Sequence, residues 1–173
     1  MLPGSFDPLT VAHLGIAEIA KDRFELDQVD LVISRVALAK EDRAGERLDE
    51  RIDAIERACR TRRWLGLVVT DLQLVSDIAE PYDLVILGAD KWAQVHDPSF
   101  HPSPAHHAAA LAKLPTPAIV PRLPHPVPPE HLLEVPAHLT LMSSTAVREG
   151  RTEWMAPEAV EVAEETGAWP LPH

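Results

Sequence analysis

Short apolar runs alternate with segments of helical spacing, and this alternation constrains the fold more than any other feature of the sequence. Four runs have the length and the Val, Ile and Leu content of buried strands: Val29–Ser34, Trp64–Thr70, Asp83–Gly88 and Thr116–Pro121. A shorter candidate strand is Leu139–Met142. Strands that are separated by helices form parallel sheets with helices on both faces. The pattern therefore predicts an α/β fold with a mainly parallel sheet.

Three segments have the spacing of amphipathic helices. In Thr10–Phe24 and Arg47–Arg63, apolar residues recur every three or four positions on one side of the helix. Pro157–Thr166 begins with a proline, which is tolerated in the first turn of a helix. Residues 115–136 carry eight of the 17 prolines, which predicts a surface connection with polyproline-like stretches. The length is typical of one domain, so we expect residues 1–173 to form a single domain.

The charge of the chain argues against several classes of partner. A formal net charge of −11 repels nucleic acid and anionic lipid at long range, so we expect no nucleic-acid and no membrane partner. The first residues lack the basic start and apolar run of a signal peptide, and Cys59 is the only cysteine. These features favour a cytoplasmic protein. A small anionic ligand would need a local site of backbone N–H groups and a few cations.

Residues 3–13 combine a strand end, a turn and the start of a helix, an arrangement that binds anions. Gly4 ends the strand, and Asp7 and Pro8 are typical of a tight turn. Thr10 and His13 share one face of the first helical turn, where a hydroxyl and an imidazole can reach the same phosphate. Taken alone, the pair also fits a capping threonine beside an exposed histidine.

A second polar string follows the short apolar run near residue 140. Ser143, Ser144 and Thr145 precede a short helix that carries Arg148. Hydroxyl groups at a helix start add donors to the free backbone N–H groups, and a guanidinium one turn later can bind phosphate oxygens in a forked manner. Taken alone, this string fits a capped surface helix with a solvated arginine.

The two strings together resemble the signatures of the HxGH-type nucleotidyltransferase superfamily, which includes adenylyltransferases and cytidylyltransferases. The first signature, G-[ST]-F-[DN]-P-x-[TH]-x-G-H, is matched by Gly4, Ser5, Phe6, Asp7, Pro8, Thr10 and His13. Ala12 stands where glycine is usual. The second, I-S-S-T-x-[IV]-R, is matched from Ser143 to Arg148, with Met142 in place of isoleucine. Two signatures about 130 residues apart, in the expected order, are more specific than either one.

Other segments resemble the nicotinate and nicotinamide mononucleotide adenylyltransferases of this superfamily. Leu87–Trp92 resembles their G-[GA]-D segment, which is often followed by tryptophan, and Glu153–Trp169 resembles their C-terminal end. Arg122 resembles an arginine that follows a late strand in these enzymes. Lys40 resembles a phosphate-contacting lysine, but the preceding residues lack the usual proline and histidine.

The resemblance implies a Rossmann-like α/β/α sandwich with a doubly wound sheet. It implies transfer of an adenylyl group from ATP, with Mg²⁺, to nicotinate or nicotinamide mononucleotide, and release of pyrophosphate. The implied catalytic residues are His13, Thr10 and Arg148. The implied acceptor-binding residues are Lys40, Trp92 and Arg122. The implied nucleotide-binding residues are Gly4, Ser5, Phe6, Thr10, His13, Gly88, Asp90, Ser143, Ser144, Thr145 and Arg148.

Several alternatives remain open at the level of sequence. The opening Leu2–Pro8 also resembles phosphopantetheine adenylyltransferase, and a cytidylyltransferase acting on a small phospho-alcohol is a further candidate. Ala12, and the three residues that precede Gly4, leave room for a non-catalytic nucleotide-binding module with a short first strand. The histidines near residue 100 have no cysteine or carboxylate at ligand spacing, so we predict no metal site. A homo-oligomer is compatible with the sequence.

Overall fold

The computed structural model describes residues 1–36 and 47–171, and within these ranges the chain forms five strands and eight α-helices. The strands are β1 (Leu2–Pro3), β2 (Val29–Ser34), β3 (Leu65–Thr70), β4 (Leu84–Gly88) and β5 (Thr116–Val120). The helices are α1 (Val11–Arg23), α2 (Leu48–Thr61), α3 (Val75–Ala79), α4 (Ala89–Val95), α5 (Pro104–Ala112), α6 (Ala137–Leu141), α7 (Ser144–Arg148) and α8 (Pro157–Thr166). No helix in these ranges is long and apolar enough to cross a bilayer.

The short strand β1 lies at the centre of the sheet. It pairs in parallel with β2, β2 pairs with β3, and β4 pairs with β5. The nitrogen of Met1 donates to the Leu84 carbonyl over 2.7 Å, and the Ile86 N–H donates to the Met1 carbonyl over 2.8 Å. These two bonds have the pattern of a parallel ladder. The strands therefore lie in the order β3-β2-β1-β4-β5, and the central strand β1 is two residues long.

Helices cover both faces of this sheet. Alternate strand residues point to opposite faces, so each face contributes its own apolar side chains to the contact with the helices. Leu31, Ile33 and Ile86 lie in one apolar cluster with residues of α1, α2 and α8. Val32 and Val85 lie in a second cluster with residues of α3 and α4. The predicted Rossmann-like α/β/α architecture is confirmed.

Most of the predicted elements are confirmed, with bounds that differ by at most two residues. The prediction of a strand at Leu139–Met142 is wrong. Ala137–Leu141 forms helix α6, in which the Leu139 N–H donates to the carbonyl of Pro136. Pro136 cannot continue a strand ladder but is compatible with a helix start, and Leu139 is buried near Gly15 of α1. A run of four residues has too few positions to distinguish the period of a strand from one helical turn.

Candidate active site

The loop between β1 and α1 begins at the carboxyl end of the central strand, where the strand order reverses. This switch point is where open α/β sheets bind ligands. Phe6 lies in the loop with a positive φ of 48°, and the residue is 1% exposed. A Cβ atom at Gly4 would lie 2.8 Å from the Phe6 ring, so the close approach of the loop to the ring requires glycine. Ala12 is buried in the core, so its methyl group packs there.

Thr10 and His13 form a capping box at the start of α1. The Thr10 side chain accepts a hydrogen bond from the His13 N–H, and the Thr10 N–H donates to Nδ1 of His13 over 3.0 Å. The Thr10 hydroxyl lies 2.9 Å from the same nitrogen, and Thr10 is 0% exposed. The ring of His13 is held further by an edge contact with Phe6, with 5.0 Å between the centroids. Thr10 therefore orients the imidazole.

The imidazole of His13 is a neutral donor at physiological pH. Because Nδ1 accepts from the Thr10 N–H, the ring proton of the neutral form resides on Nε2. Burial of the ring, together with the positive charge of Arg122, lowers the pKa of His13 from the ordinary 6.5 to about 4. Within the described part of the chain, Nε2 has no hydrogen-bond acceptor. This N–H is available to a ligand oxygen.

The depressed pKa of His13 predicts a pH-dependent stability. The neutral ring is favoured in the folded chain, so this stabilisation is complete above pH 6.5 and is lost as the pH falls toward 4. Between pH 7 and pH 5 the free energy of unfolding is expected to fall by about 2 kcal/mol from this residue. Denaturant unfolding of wild type and His13→Gln measures it. Identical pH dependence in the two proteins would contradict the assignment.

The ends of β4 and β5 bring three further predicted residues together. Gly88 is the N-cap of α4, and Asp90 lies in the first turn of that helix. Arg122 follows β5; its Nε lies 3.7 Å from Asp90 Oδ1, and its Nη2 donates to the Met142 carbonyl over 3.4 Å. Nε of Arg122 is buried and has no hydrogen-bond partner in the described chain. A buried guanidinium donor without a partner is expected to bind a ligand oxygen.

Helix α7 carries the second signature and packs against the first loop. Ser143 is its N-cap and accepts from the Ala146 N–H over 3.1 Å. The Ser144 hydroxyl donates to the Pro8 carbonyl over 2.7 Å. Arg148 donates through Nη1 to the Asp7 carbonyl, and through Nη2 to the Thr145 hydroxyl over 3.3 Å. The two signatures, far apart in sequence, are thus in direct contact.

The carboxylate of Asp7 joins four distant parts of the chain in what we call the Asp7 cluster (Asp7, Arg47, Arg148 and Trp169). Oδ1 accepts from Arg47 Nε over 3.1 Å and from the indole N–H of Trp169 over 2.7 Å. Oδ2 lies 3.4 Å from Arg148 Nη1 and from Arg47 Nη2. Burial alone would raise the pKa of Asp7, but the hydrogen bonds from Arg47 and Trp169 and the charges of both arginines lower it. The carboxylate therefore stays charged.

The remaining predicted site residues occupy different environments. Trp92 lies between two histidines, with its ring centroid 4.0 Å from that of His96 and 5.6 Å from that of His131. The Ser5 carbonyl accepts from Arg51 over 3.1 Å. Lys40 lies outside the described residues, so its predicted role stays a prediction. In the described ranges, no three histidine, cysteine or acidic side chains are grouped so that they could hold a metal ion.

Sequence reasoning missed Arg47, Arg51 and Trp169 as parts of the site. Arg51 is 2% exposed. Arg47 precedes α2 as its N-cap, with a positive φ of 49°, so its spacing of four residues from Arg51 does not follow from helix geometry. No local pattern predicts which distant carboxylate Arg47 and Trp169 contact.

A Rossmann-like sheet with these two signatures in contact at its switch point defines a nucleotidyltransferase. Residues 1–150 match the family described as cytidylyltransferase-like. The chain belongs to this family, within the HxGH nucleotidyltransferase superfamily, and is therefore an enzyme that acts on a nucleoside triphosphate and a small phosphorylated substrate.

The fold is similar to that of Plasmodium falciparum nicotinic acid mononucleotide adenylyltransferase. The structure of that protein complexed with NaAD has a TM-score of 0.61 and 13% sequence identity, over 95% of this chain and 93% of that chain. Its structure complexed with APC has a TM-score of 0.60 and 13% identity, over 96% of this chain and 94% of that chain. At this identity the likeness concerns the fold. No curated protein matches the sequence.

Proposed function

We propose that this enzyme transfers an adenylyl group from ATP to nicotinate or nicotinamide mononucleotide. The observation that carries the proposal is the convergence of donors from separate elements near the switch point. His13 on α1 lies close enough to Arg122, after β5, for the guanidinium charge to lower its pKa. Arg148 on α7 is bonded to the loop that leads into α1. Three donors around one loop suit a chain of phosphates.

The proposed reaction is direct displacement at the α-phosphorus of ATP. A phosphate oxygen of the acceptor forms the new bond to phosphorus, the bond to the β-phosphate oxygen breaks, and pyrophosphate leaves. The acceptor phosphate is already a nucleophile, so the protein supplies position and charge stabilisation. His13 donates from Nε2 to an oxygen of the reacting phosphate, and Thr10 holds the ring. Arg148, with Ser143, Ser144 and Thr145, binds the β- and γ-phosphates.

The nucleotide is proposed to contact Gly4, Ser5, Phe6, Gly88 and Asp90. The acceptor would be bound by Arg122, Trp92 and Lys40. The assignment to a pyridine mononucleotide is supported by the Leu87–Trp92 segment and by a fold likeness that extends over nearly the whole of both chains. The tail after residue 150 contacts the first loop, which supports one domain over 1–173.

ATP is proposed to enter as its Mg²⁺ complex, with the metal part of the substrate. Near the loop, the Asp7 carboxylate is engaged by arginines, and Asp90 lies beside Arg122. Neither carboxylate lies in a group suited to hold a metal among the described residues. The triphosphate oxygens and water would therefore supply the ligands of Mg²⁺, as this ion commonly prefers.

Pyrophosphate release tests the proposal. ATP and CTP are each incubated with nicotinate mononucleotide, nicotinamide mononucleotide, phosphopantetheine and a small phospho-alcohol, with His13→Gln as the control enzyme. The expected result is the highest kcat/KM for ATP with one of the two mononucleotides. Preference for CTP or for phosphopantetheine would replace the proposal by that alternative. Tight ATP binding without turnover on any acceptor would identify a non-catalytic module.

A further inference from the structure

The segment after α8 returns to the first loop of the chain. Trp169 is 3% exposed and lies in the same apolar cluster as Phe6 and Leu9. A buried indole N–H needs an acceptor, and here it donates to Asp7 Oδ1 over 2.7 Å, across 162 positions of sequence. The same carboxylate pairs with Arg148. The C-terminal segment is therefore connected, through one side chain, to an arginine of the second signature.

Trp169 is the donor best suited to fix the orientation of the Asp7 carboxylate. Its hydrogen bond of 2.7 Å is the shortest contact of that group, compared with 3.1 Å and 3.4 Å to Arg47 and 3.4 Å to Arg148. The indole is rigid and enclosed by the core, whereas the side chains of Arg47 and Arg148 are 33% and 24% exposed. The carboxylate is therefore oriented from the core, and the guanidinium groups adapt to it.

The contacts of Arg148 leave part of its guanidinium available. Nη1 faces the carbonyl and Oδ2 of Asp7, and Nη2 donates to Thr145. In the described ranges the Nε hydrogen and the second Nη2 hydrogen have no protein acceptor. The free edge of the guanidinium, formed by Nε and Nη2, lies on the side away from Nη1. Because Asp7 holds Nη1, the Asp7 contact determines where this free edge points.

We propose that Trp169 is a positioning residue: through Asp7 it holds the guanidinium of Arg148 in the orientation that binds the phosphate chain. The inference rests on the proposed function for the role of Arg148. The residues that match the family end at 150, so Trp169 lies beyond them. The tail of this chain thus contributes to phosphate binding without touching the phosphates.

The first test compares two donor-removing variants at tryptophans. Trp169→Phe keeps an aromatic ring in the core but removes the N–H. Trp154→Phe is the matched control: Trp154 also packs against the same cluster, and its ring contacts Arg151 at 4.2 Å. With inorganic tripolyphosphate as the probe in calorimetry at low salt, Trp169→Phe is expected to bind about five- to tenfold more weakly. Trp154→Phe is expected to remain within about twofold. Equal affinities in the two variants overturn the proposal.

A double-mutant cycle with Arg148→Lys distinguishes positioning from general destabilisation. Lysine keeps the positive charge but lacks the planar guanidinium, which is the group whose orientation Trp169 is proposed to control. Trp169→Phe is therefore expected to have almost no further effect in the Arg148→Lys protein. A full additional loss there would overturn the proposal, as would wild-type affinity in Arg148→Lys alone. Trp169→Leu, a second variant without the donor, must give the same pattern.

Carbon-detected NMR of the Asp7 carboxyl gives a readout independent of binding. Loss of the indole donor raises the pKa of Asp7, because that hydrogen bond stabilises the charged form. We expect the rise in Trp169→Phe and not in Trp154→Phe, and no rise would overturn the inference. Neither this measurement nor tripolyphosphate binding needs turnover. A wild-type protein that releases no pyrophosphate would thus reject the proposed reaction while leaving these results decisive for Trp169.

Discussion

Replacing His13 with glutamine is expected to lower kcat by about 10²–10³-fold, the usual cost of removing one donor that stabilises transition-state charge. Glutamine is a normal residue at this position of a capping box, so its side chain can still accept from the Thr10 N–H. The glutamine side chain has no N–H donor at the position that Nε2 of His13 occupies. The effect should appear mainly in kcat, because the reacting phosphate gains charge in the transition state. Steady-state pyrophosphate release measures it.

Alanine at position 13 is the comparison for His13→Gln. It removes the catalytic N–H and also the capping bond, which typically stabilises a helix start by about 1 kcal/mol. Both variants should therefore lose the same turnover, but only His13→Ala should lose that capping contribution at pH 7. If His13→Gln keeps kcat within a few-fold of wild type while remaining folded, His13 is a capping residue and not a catalytic one.

The strands and the first helix could be predicted because their signals are local. Runs such as Val29–Ser34 are continuous apolar segments of strand length, and the parallel sheet follows from the helices between them. Thr10 and His13 share one helical face, as the spacing predicts, and the capping interpretation is correct for Thr10. It is wrong for His13, which is partly buried and not exposed. Leu139–Met142 is predicted as a strand because a run of four residues carries too little periodicity, whereas Ala137–Leu141 forms a helix that buries Leu139 against α1.

The Asp7 cluster could not be predicted because its contacts are long-range. The motif marks Asp7 as a turn residue, which explains its conformation but not its partners. Arg47 begins a helix and Trp169 lies in the tail, and nothing in either segment specifies a carboxylate 40 or 162 positions away. The partners are chosen by the packing of α2 and α8 around the first loop. For the same reason, the burial of Arg51 against the Ser5 carbonyl has no local signal.

Asp7→Asn is expected to destabilise the fold by about 3 kcal/mol, the lower end of the range for breaking a buried ion pair. The side chain of Asp7 is 10% exposed and faces two guanidinium groups, which retain partial contact with solvent. Asparagine has the same shape, but its NH₂ group opposes at least one of the cationic donors. Turnover is expected to fall at least about tenfold, because Arg148 loses its partner. Denaturant unfolding and pyrophosphate release measure the two effects.

The pH dependence and a matched substitution separate the charge of Asp7 from other causes. The pKa of Asp7 is lowered from 3.8 in the folded chain, so its stabilisation is present above that pH and is lost below it. The difference between wild type and Asp7→Asn should therefore be constant near neutrality and narrow only below pH 3.8. Asp53→Asn makes the same change in a more exposed carboxylate, which pairs with Arg57 on α2, and is expected to cost far less. If the two variants lose similar amounts of unfolding free energy, the ion pairs of Asp7 contribute no more than a surface ion pair. The contacts of Asp7 with Arg148 and Trp169 would then not stabilise the fold.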